Sequence, residues 1–337
     1  MKKPVLKIFI ILVLLVLLTV AYLGIAYIYP VNIEERQVTI IIEPGDSFKT
    51  VADKILDAGV VKSRTMLFYP ARWRHVDKKL VPGRYDFTGK NSCRSILDRL
   101  ESGDFLKIRL MVYEGSPIWK VASLLQERLK LDSAELIALN NDSNFLAEVG
   151  LPCLEGYLFP ETYFIPWGMK LKDVVKEMLT MFHIQTDSLW PDTIYNNLTR
   201  EEVIILASIV EAEALLDREK SIVASVYHNR LKSRMKLDAD PTVIYGLGGL
   251  SRPLLKSDLR KDTPYNTYRI RGLPPTPINS PGLEAIRGTL RPDSTDFYFF
   301  VADGSGGHRF SRTNYEHNKA RLDIKQALKN PDSTARN

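Results

Sequence analysis

The sequence predicts an α+β protein with a single N-terminal transmembrane helix, a duplicated α+β unit, and then a mixed helical and β domain. Three observations lead there. A long apolar run without charge opens the chain, and a strand–turn–helix pattern occurs twice in its first half. Helical and β-like patterns then mix without the regular βαβ order of a nucleotide-binding sheet, and without a glycine-rich phosphate fingerprint. With 337 residues, 45% of them hydrophobic and 26% charged, the chain can bury a substantial core divided among more than one domain.

The apolar run, Ile8 to Ile28, is long enough at about 1.5 Å per residue to cross a hydrocarbon layer of about 30 Å. A cleaved signal peptide and a buried core helix are the other readings. The run is longer than a usual signal core and is terminal, and lysines flank it, which favours a retained anchor. Lys2, Lys3 and Lys7 precede it, whereas Arg36 beyond it is balanced by Glu34 and Glu35. This asymmetry places the amino terminus in the cytoplasm and the remainder outside, in periplasmic or cell-wall space.

VTIIIEPGDSFKTVADKILDAGV reads as a β-like run, a Pro44–Gly45 turn, and an amphipathic helix begun near Asp46 or Ser47. The pattern returns in IRLMVYEGSPIWKVASLLQERL, with Gly115 against Gly45 and Val121–Ala122 against Val51–Ala52. LVPGRY and LFPETY form a second matching pair, each leading into a helical stretch, so residues 38–184 read as two related α+β units. Past Trp190–Pro191, Thr199 and Glu202 form a capping box that opens TREEVIILASIVEAEA, and Asp217 is a candidate cap for the next helix. LDADPTVIYG reads as a turn preceding a β-like run. A proline-rich passage, a short helix LEAIRGTL, a β-like TDFYFFVA, a DGSGGHRF turn and a terminal helix near 315–328 follow. NPDSTARN reads as a disordered tail. The expected domains are thus 1–30, 31–184 and 185–330, with 331–337 as tail.

Within the 200–214 helix, residues 203–210 are apolar almost all round, which implies a helix covered on several sides. Glu211 and Glu213 stand at the end of this run. A carboxylate held in apolar surroundings resists ionisation, so its pKa rises toward that of a useful general acid. Periodicity does not separate the two acids, and both could instead form structural ion pairs with Arg218, Lys220 or Arg230. Asp238, Asp240, Thr242 and Tyr245 form a nearby cluster able to hydrogen-bond hydroxyls and acetamides, and Asn229 closes the preceding helix. His308, beside Gly306–Gly307, either orders a loop or touches a ligand. No histidine spacing matches a metal site and no Ser-His-Asp arrangement emerges, so neither a metal nor a cofactor is expected. The net charge of +6 is dispersed among acids rather than gathered in a stripe, which argues against nucleic acid. The two cysteines, Cys93 and Cys153, leave a disulfide open beside two separate buried thiols.

LEGYLFPETY, ILASIVEAEA, VYHNRL, DPTVIYG, RGLPPTPINSPG and FFVADGSGGHRF occur in that order. Together they resemble the endolytic murein transglycosylase family, the YceG-like proteins usually called MltG. The resemblance runs from the membrane helix to the terminal EHNKA. It implies a bitopic inner-membrane enzyme with LysM-like units before its catalytic domain. The expected reaction cleaves nascent peptidoglycan between N-acetylmuramic acid and N-acetylglucosamine, leaving a 1,6-anhydro-muramyl end. The partners to expect are glycan strands and peptidoglycan synthases. The family's essential glutamate falls on Glu211 and its second acid on Glu213, in a supporting role. Glu155, Glu161, Asp240, Thr242 and Tyr245 match elements that line the cleft or position the glycan. Family members commonly have lysine between the two glutamates; Ala212 stands there in this chain, which implies an altered rim rather than lost activity. A hydrolytic muramidase and a non-catalytic glycan-binding tether are the competing readings.

Overall fold

The computed structural model describes residues 2–33, 36–43 and 45–329. Glu34, Glu35, Pro44 and the expected tail at 331–337 lie outside the described residues, as do the side chains of Lys2 and Lys3. The chain divides into two compact units, residues up to 109 with 164–169, and residues 110–163 with 170 onward.

The first unit begins with α1 (Lys2–Ile28), whose stretch Lys7–Ile28 is long and apolar enough to span a membrane. Its large side chains are exposed, as suits a helix whose surroundings are lipid rather than protein. Then come β1 (Val31–Asn32), β2 (Val38–Ile42), α2 (Phe48–Asp57), α3 (Arg64–Trp73), β3 (Gly83–Phe87), β4 (Lys90–Asn91) and α4 (Cys93–Ser102). Strands β2 and β3 pair antiparallel, from Val38 opposite Phe87 to Ile42 opposite Gly83. Ser47 caps α2 by accepting the Thr50 amide, which fixes the helix start the sequence implied. The inward faces of β2, β3, α2 and α4 bury Ile40, Val51, Ile55, Tyr85, Phe87 and Ile96 in one core.

The second block runs strand, three helices, strand, helix. Strand β5 (Lys107–Met111) pairs with a later strand, and between the two run α5 (Ile118–Leu129), α6 (Ser133–Leu139) and α7 (Ser143–Val149). That later strand is β6 (Thr162–Pro166), and α8 (Leu171–Thr186) follows it. Cys93 and Cys153 are both buried free thiols.

The second unit continues with α9 (Arg200–Glu213), α10 (Asp217–Lys232), α11 (Asp240–Gly246) and α12 (Leu283–Leu290). Strands β7 (Phe299–Ala302) and β8 (His308–Ser311) then form an antiparallel hairpin, followed by α13 (Asn314–Lys329). The Thr199–Glu202 capping box is formed in both directions. Every residue of α9 from Val203 to Val210 is buried because α10, α11 and α12 all pack against this helix, which accounts for its apolar character all round.

Two local expectations differ from the fold. DPTVIYG is the helix α11 rather than a turn entering a strand. Pro241 occupies the first turn, where a missing N–H costs nothing and the fixed φ suits a helix. Asp217 does not cap α10; Leu216 holds that place, and Asp217 is the first helical residue, engaged with Lys220.

Candidate active site

Glu211 lies in the last turn of α9, where exposed helical carbonyls disfavour a second negative charge. Its side chain is 8% exposed. Burial raises its pKa above the ordinary carboxyl value, against the opposing charge of Lys220 and the Gly282 amide. Lys220 Nζ donates to both Glu211 oxygens, at 3.2 and 3.1 Å, and the Gly282 N–H donates to Oε2 at 3.0 Å. Gly282 is the N-cap of α12, so the carboxylate also faces the positive end of that helix. Opposed influences thus act on the two protonation states: burial favours the acid, whereas the ammonium and the helix end favour the carboxylate.

Lys220 is 2% exposed and bridges three acids. Besides Glu211 it reaches Asp217 at 2.8 Å and Glu114 at 3.5 Å. Burial works against its charge, but the Asp217 bond and the Glu211 charge keep its pKa above the ordinary lysine value. Glu114 escaped the sequence reading, because EGSP reads as an ordinary turn. Its position depends on a short bridge in which Gly115 N–H donates to Ser280 O at 2.9 Å and Ser280 N–H to Ser116 O at 3.0 Å. The Glu114 carboxylate then rests against Gly282, whose hydrogen leaves room that a methyl group would fill. Gly115, at φ +70°, lies beside the Glu211 side chain, where a Cβ would make ordinary contact 3.7 Å from Glu211 Cγ.

Glu155 and Tyr245, far apart in sequence, meet. Glu155 is 1% exposed, accepts the Ile118 N–H with both oxygens at 3.1 Å, and accepts the Tyr245 hydroxyl at 2.9 Å. It serves the N-terminus of α5, whose own N-cap, Pro117, has no side-chain acceptor. Burial pushes the Glu155 carboxyl up to about 7 despite these donors. The Tyr245 ring packs at 4.9 Å from Trp119 and 4.8 Å from Tyr265. Trp119 and Tyr245 line a cavity of ≈ 480 Å³ together with Gly115, Ala212, Pro241, Ile244, Ile278 and Asn279. Gly115 and Ala212 adjoin Glu211, so this cavity flanks it, and Ala212 forms part of the wall.

Glu213 faces a different space. It lines a cavity of ≈ 440 Å³ shared with Tyr227, Arg230, Asp238, Asp240, His308 and His317. Burial, then the nearby Asp240 charge, push its carboxyl up to about 7, while the Tyr227 hydroxyl donates to it at 3.2 Å. Asp240 is exposed and accepts the Tyr268 hydroxyl at 2.7 Å. His308 is held by Glu219, which accepts its backbone N–H at 3.2 Å and lies 2.8 Å from Nδ1.

The remaining candidates lie among the framework bonds. Asn229 donates its amide to Thr295 O and Phe297 O, both at 2.9 Å, fastening α10 to the segment that leads into the β7–β8 hairpin. Thr242 is fully buried and bonds Ala239 O at 2.7 Å and Thr267 Oγ1 at 2.8 Å. Glu161 is exposed, with its carboxylate on the Thr162 amide and its carbonyl on the Val112 amide. Among the described residues no group of three or more His, Cys, Asp or Glu side chains is arranged to hold a metal ion.

Comparison with known proteins gives this arrangement a family. The model of the YceG-like family matches residues 40–322. An endolytic murein transglycosylase of Bacillus subtilis (strain 168) is 30% identical over 302 residues, covering 84% of each chain. Another of Streptococcus pneumoniae (strain D39) is 27% identical, over 90% of this chain and 62% of that one. A crystal structure of a yceG-like protein of Listeria monocytogenes superposes with a TM-score of 0.58 at 26% identity, covering 85% of this chain and 99% of that one. With a family model spanning most of its length and a relative this similar along nearly all of it, the chain belongs to the YceG-like family.

Proposed function

We propose that this protein is a membrane-anchored endolytic murein transglycosylase. It cuts peptidoglycan glycan between N-acetylmuramic acid and N-acetylglucosamine and leaves a 1,6-anhydro-muramyl end. The observation that carries the reading is Glu211, buried beside a cavity and set between Lys220 and the N-terminus of α12. In the first half-reaction Glu211 donates its proton to the glycosidic oxygen, a step that burial favours by raising the carboxyl's affinity for a proton. In the second, the carboxylate takes the proton of the muramyl C6 hydroxyl as that oxygen closes on C1. Lys220 and the Gly282 N–H stabilise the ionised form between the two steps. No external water is needed, because the C6 oxygen is tethered to the carbon it attacks and the effective concentration of the attack is high. An apolar wall that limits water favours the anhydro product over hydrolysis.

In each half of residues 31–184 a pair of bonded strands encloses two or three α-helices and a further helix follows, which supports reading that region as two related LysM-like units, with residues 185–330 as the catalytic domain. The charge asymmetry around Lys7–Ile28 supports a cytoplasmic amino terminus, with the enzyme confined to new strands near the inner membrane and its synthases. Glu155 and Tyr245 fit a role in shaping the cleft. The framework bonds of Asn229 and Thr242 fit a supporting role better than direct glycan contact.

One observation favours a second reading. The Glu213 carboxyl, pushed up to about 7, opens on its own polar cavity and is also placed to supply a proton. The test is product analysis by mass spectrometry on purified glycan strands with wild type, Glu211→Gln and Glu213→Gln. An anhydro end that disappears only in Glu211→Gln supports the proposal. A product heavier by one water marks a muramidase, and no cleavage by any of the proteins marks a tether. Loss confined to Glu213→Gln moves the chemistry to the other acid.

A further inference from the structure

The ≈ 480 Å³ cavity beside Glu211 has an unusual chemical inventory. Pro241, Ile244 and Ile278 supply apolar wall, and Trp119 supplies an aromatic face, partly exposed and packed on Tyr245. Asn279, which lines it as well, is 3% exposed. Its amide nitrogen donates to Ser208 O at 2.8 Å, and that carbonyl accepts only from a donor, so the orientation of the amide is fixed. The other end, Oδ1, is buried and has no hydrogen-bond partner among the described residues. A buried acceptor left unpaired is costly, and native folds keep few of them, most often where something else completes the bond.

We infer that this cavity is the subsite for an N-acetylated sugar, with Asn279 Oδ1 accepting the acetamido N–H. The apolar wall takes the acetyl methyl group, and the Trp119 ring lies against the apolar face of the sugar. The acetamide matches the inventory because it presents one N–H donor and one methyl group together. A hydroxyl in its place presents a donor but leaves the apolar wall unfilled. Asn279 is fixed to α9 through Ser208, and Ile278 N–H donates to Ser208 Oγ at 3.0 Å, so the acceptor is locked to the helix that carries Glu211. Recognition of the acetamide thereby positions the adjacent glycosidic bond relative to that acid. Asn279 is a positioning residue, and Trp119, contributed by α5, sets specificity with it. The inference rests on the substrate being an N-acetylated glycan, and it adds which residues read the acetyl group.

The test measures binding apart from cleavage. Full-length protein in detergent, carrying Glu211→Gln to prevent turnover, is titrated calorimetrically with the N-acetylglucosamine tetramer and with cellotetraose, a neutral analogue with hydroxyls in place of acetamides. The acetylated oligomer binds about tenfold tighter or more, as expected when a buried acceptor gains or lacks its partner. Asn279→Ala removes most of that preference, Trp119→Ala weakens both ligands, and Trp119→Phe retains most of the binding. Equal affinity for the two oligomers, or a preference that survives Asn279→Ala in a protein with an unchanged melting profile, overturns the inference. Should Asn279→Ala fail to fold, Ile244→Trp fills the cavity from a partly exposed position on α11, and full binding by that variant overturns it equally. If wild type discriminates the oligomers but cuts no glycan, the subsite stands and the transglycosylase reading falls. If it cuts glycan without preference, the reverse holds.

Discussion

Replacing Glu155 by glutamine changes how stability depends on pH, by an amount that follows from its surroundings. The carboxyl is pushed from the ordinary 4.5 to about 7, chiefly by burial. At about 1.4 kcal/mol per pKa unit, ionising it in the folded protein costs about 3 kcal/mol more than in the unfolded chain. The folded pKa is the higher one, so the folded state keeps its proton between pH 4.5 and 7 while the unfolded chain loses it. This contribution to stability is complete below pH 4.5, declines as pH rises, and is gone above about 7. Glu155→Gln stays neutral throughout and still offers an oxygen to the Ile118 N–H. Relative to wild type the variant therefore gains about 3 kcal/mol between pH 4.5 and 7, or roughly 5–10 °C in melting temperature. The comparison cancels every other titration, including that of Glu213. Thermal unfolding of both proteins across pH 4–8 reads the effect. Parallel curves for the two proteins, or a wild type that gains on the variant as pH rises, refute the account of Glu155 as a buried carboxyl held against its ionisation.

Other outcomes follow from the same structure. Glu211→Gln keeps the fold and loses cleavage by at least about a hundredfold, the usual contribution of a general acid; undiminished release of glycan fragments excludes that role. Lys220→Met removes the cation that holds the Glu211 carboxyl down, so its pKa rises further. The alkaline limb of the kcat/KM profile then moves to higher pH; an unmoved or lowered limb contradicts the assignment. Gly282→Ala places a methyl group where the Glu114 carboxylate rests, displacing a flexible side chain and its contact with Lys220. Turnover therefore falls while the melting temperature changes little, and a large loss of stability at unchanged turnover reverses the explanation. Gly156→Ala is the opposite case: at φ +89° its Cβ would meet Pro277 at 2.5 Å and Ile204 at 3.1 Å. A loss on the order of 3 kcal/mol is expected in denaturant unfolding, and a value under half of that refutes the packing argument.

The sequence by itself determined the elements whose signal is local. The span Lys7–Ile28 follows from length and hydropathy, and the start of α9 from the reciprocal bonds of Thr199 and Glu202. The burial of Val203–Val210 follows from apolar residues on every side of one helix. Periodicity did not separate the roles of Glu211 and Glu213, and which space each acid enters was not legible either. DPTVIYG was misread because β-branched residues and a proline look like a turn and strand, whereas proline in the first turn also starts a helix. The surroundings of Glu211 come from residues 114, 217, 220 and 282, on three separate stretches of chain, and the Glu155–Tyr245 bond spans 90 positions. No periodicity records such meetings. Only the packing of α9, α10 and α12 and the Ser116–Ser280 bridge decided that a glutamate with an ordinary helical address sits out of water between a lysine and a helix end. The physical reason is that burial and charge proximity, which set a carboxyl's proton affinity, are properties of the assembled neighbourhood and not of any segment within it.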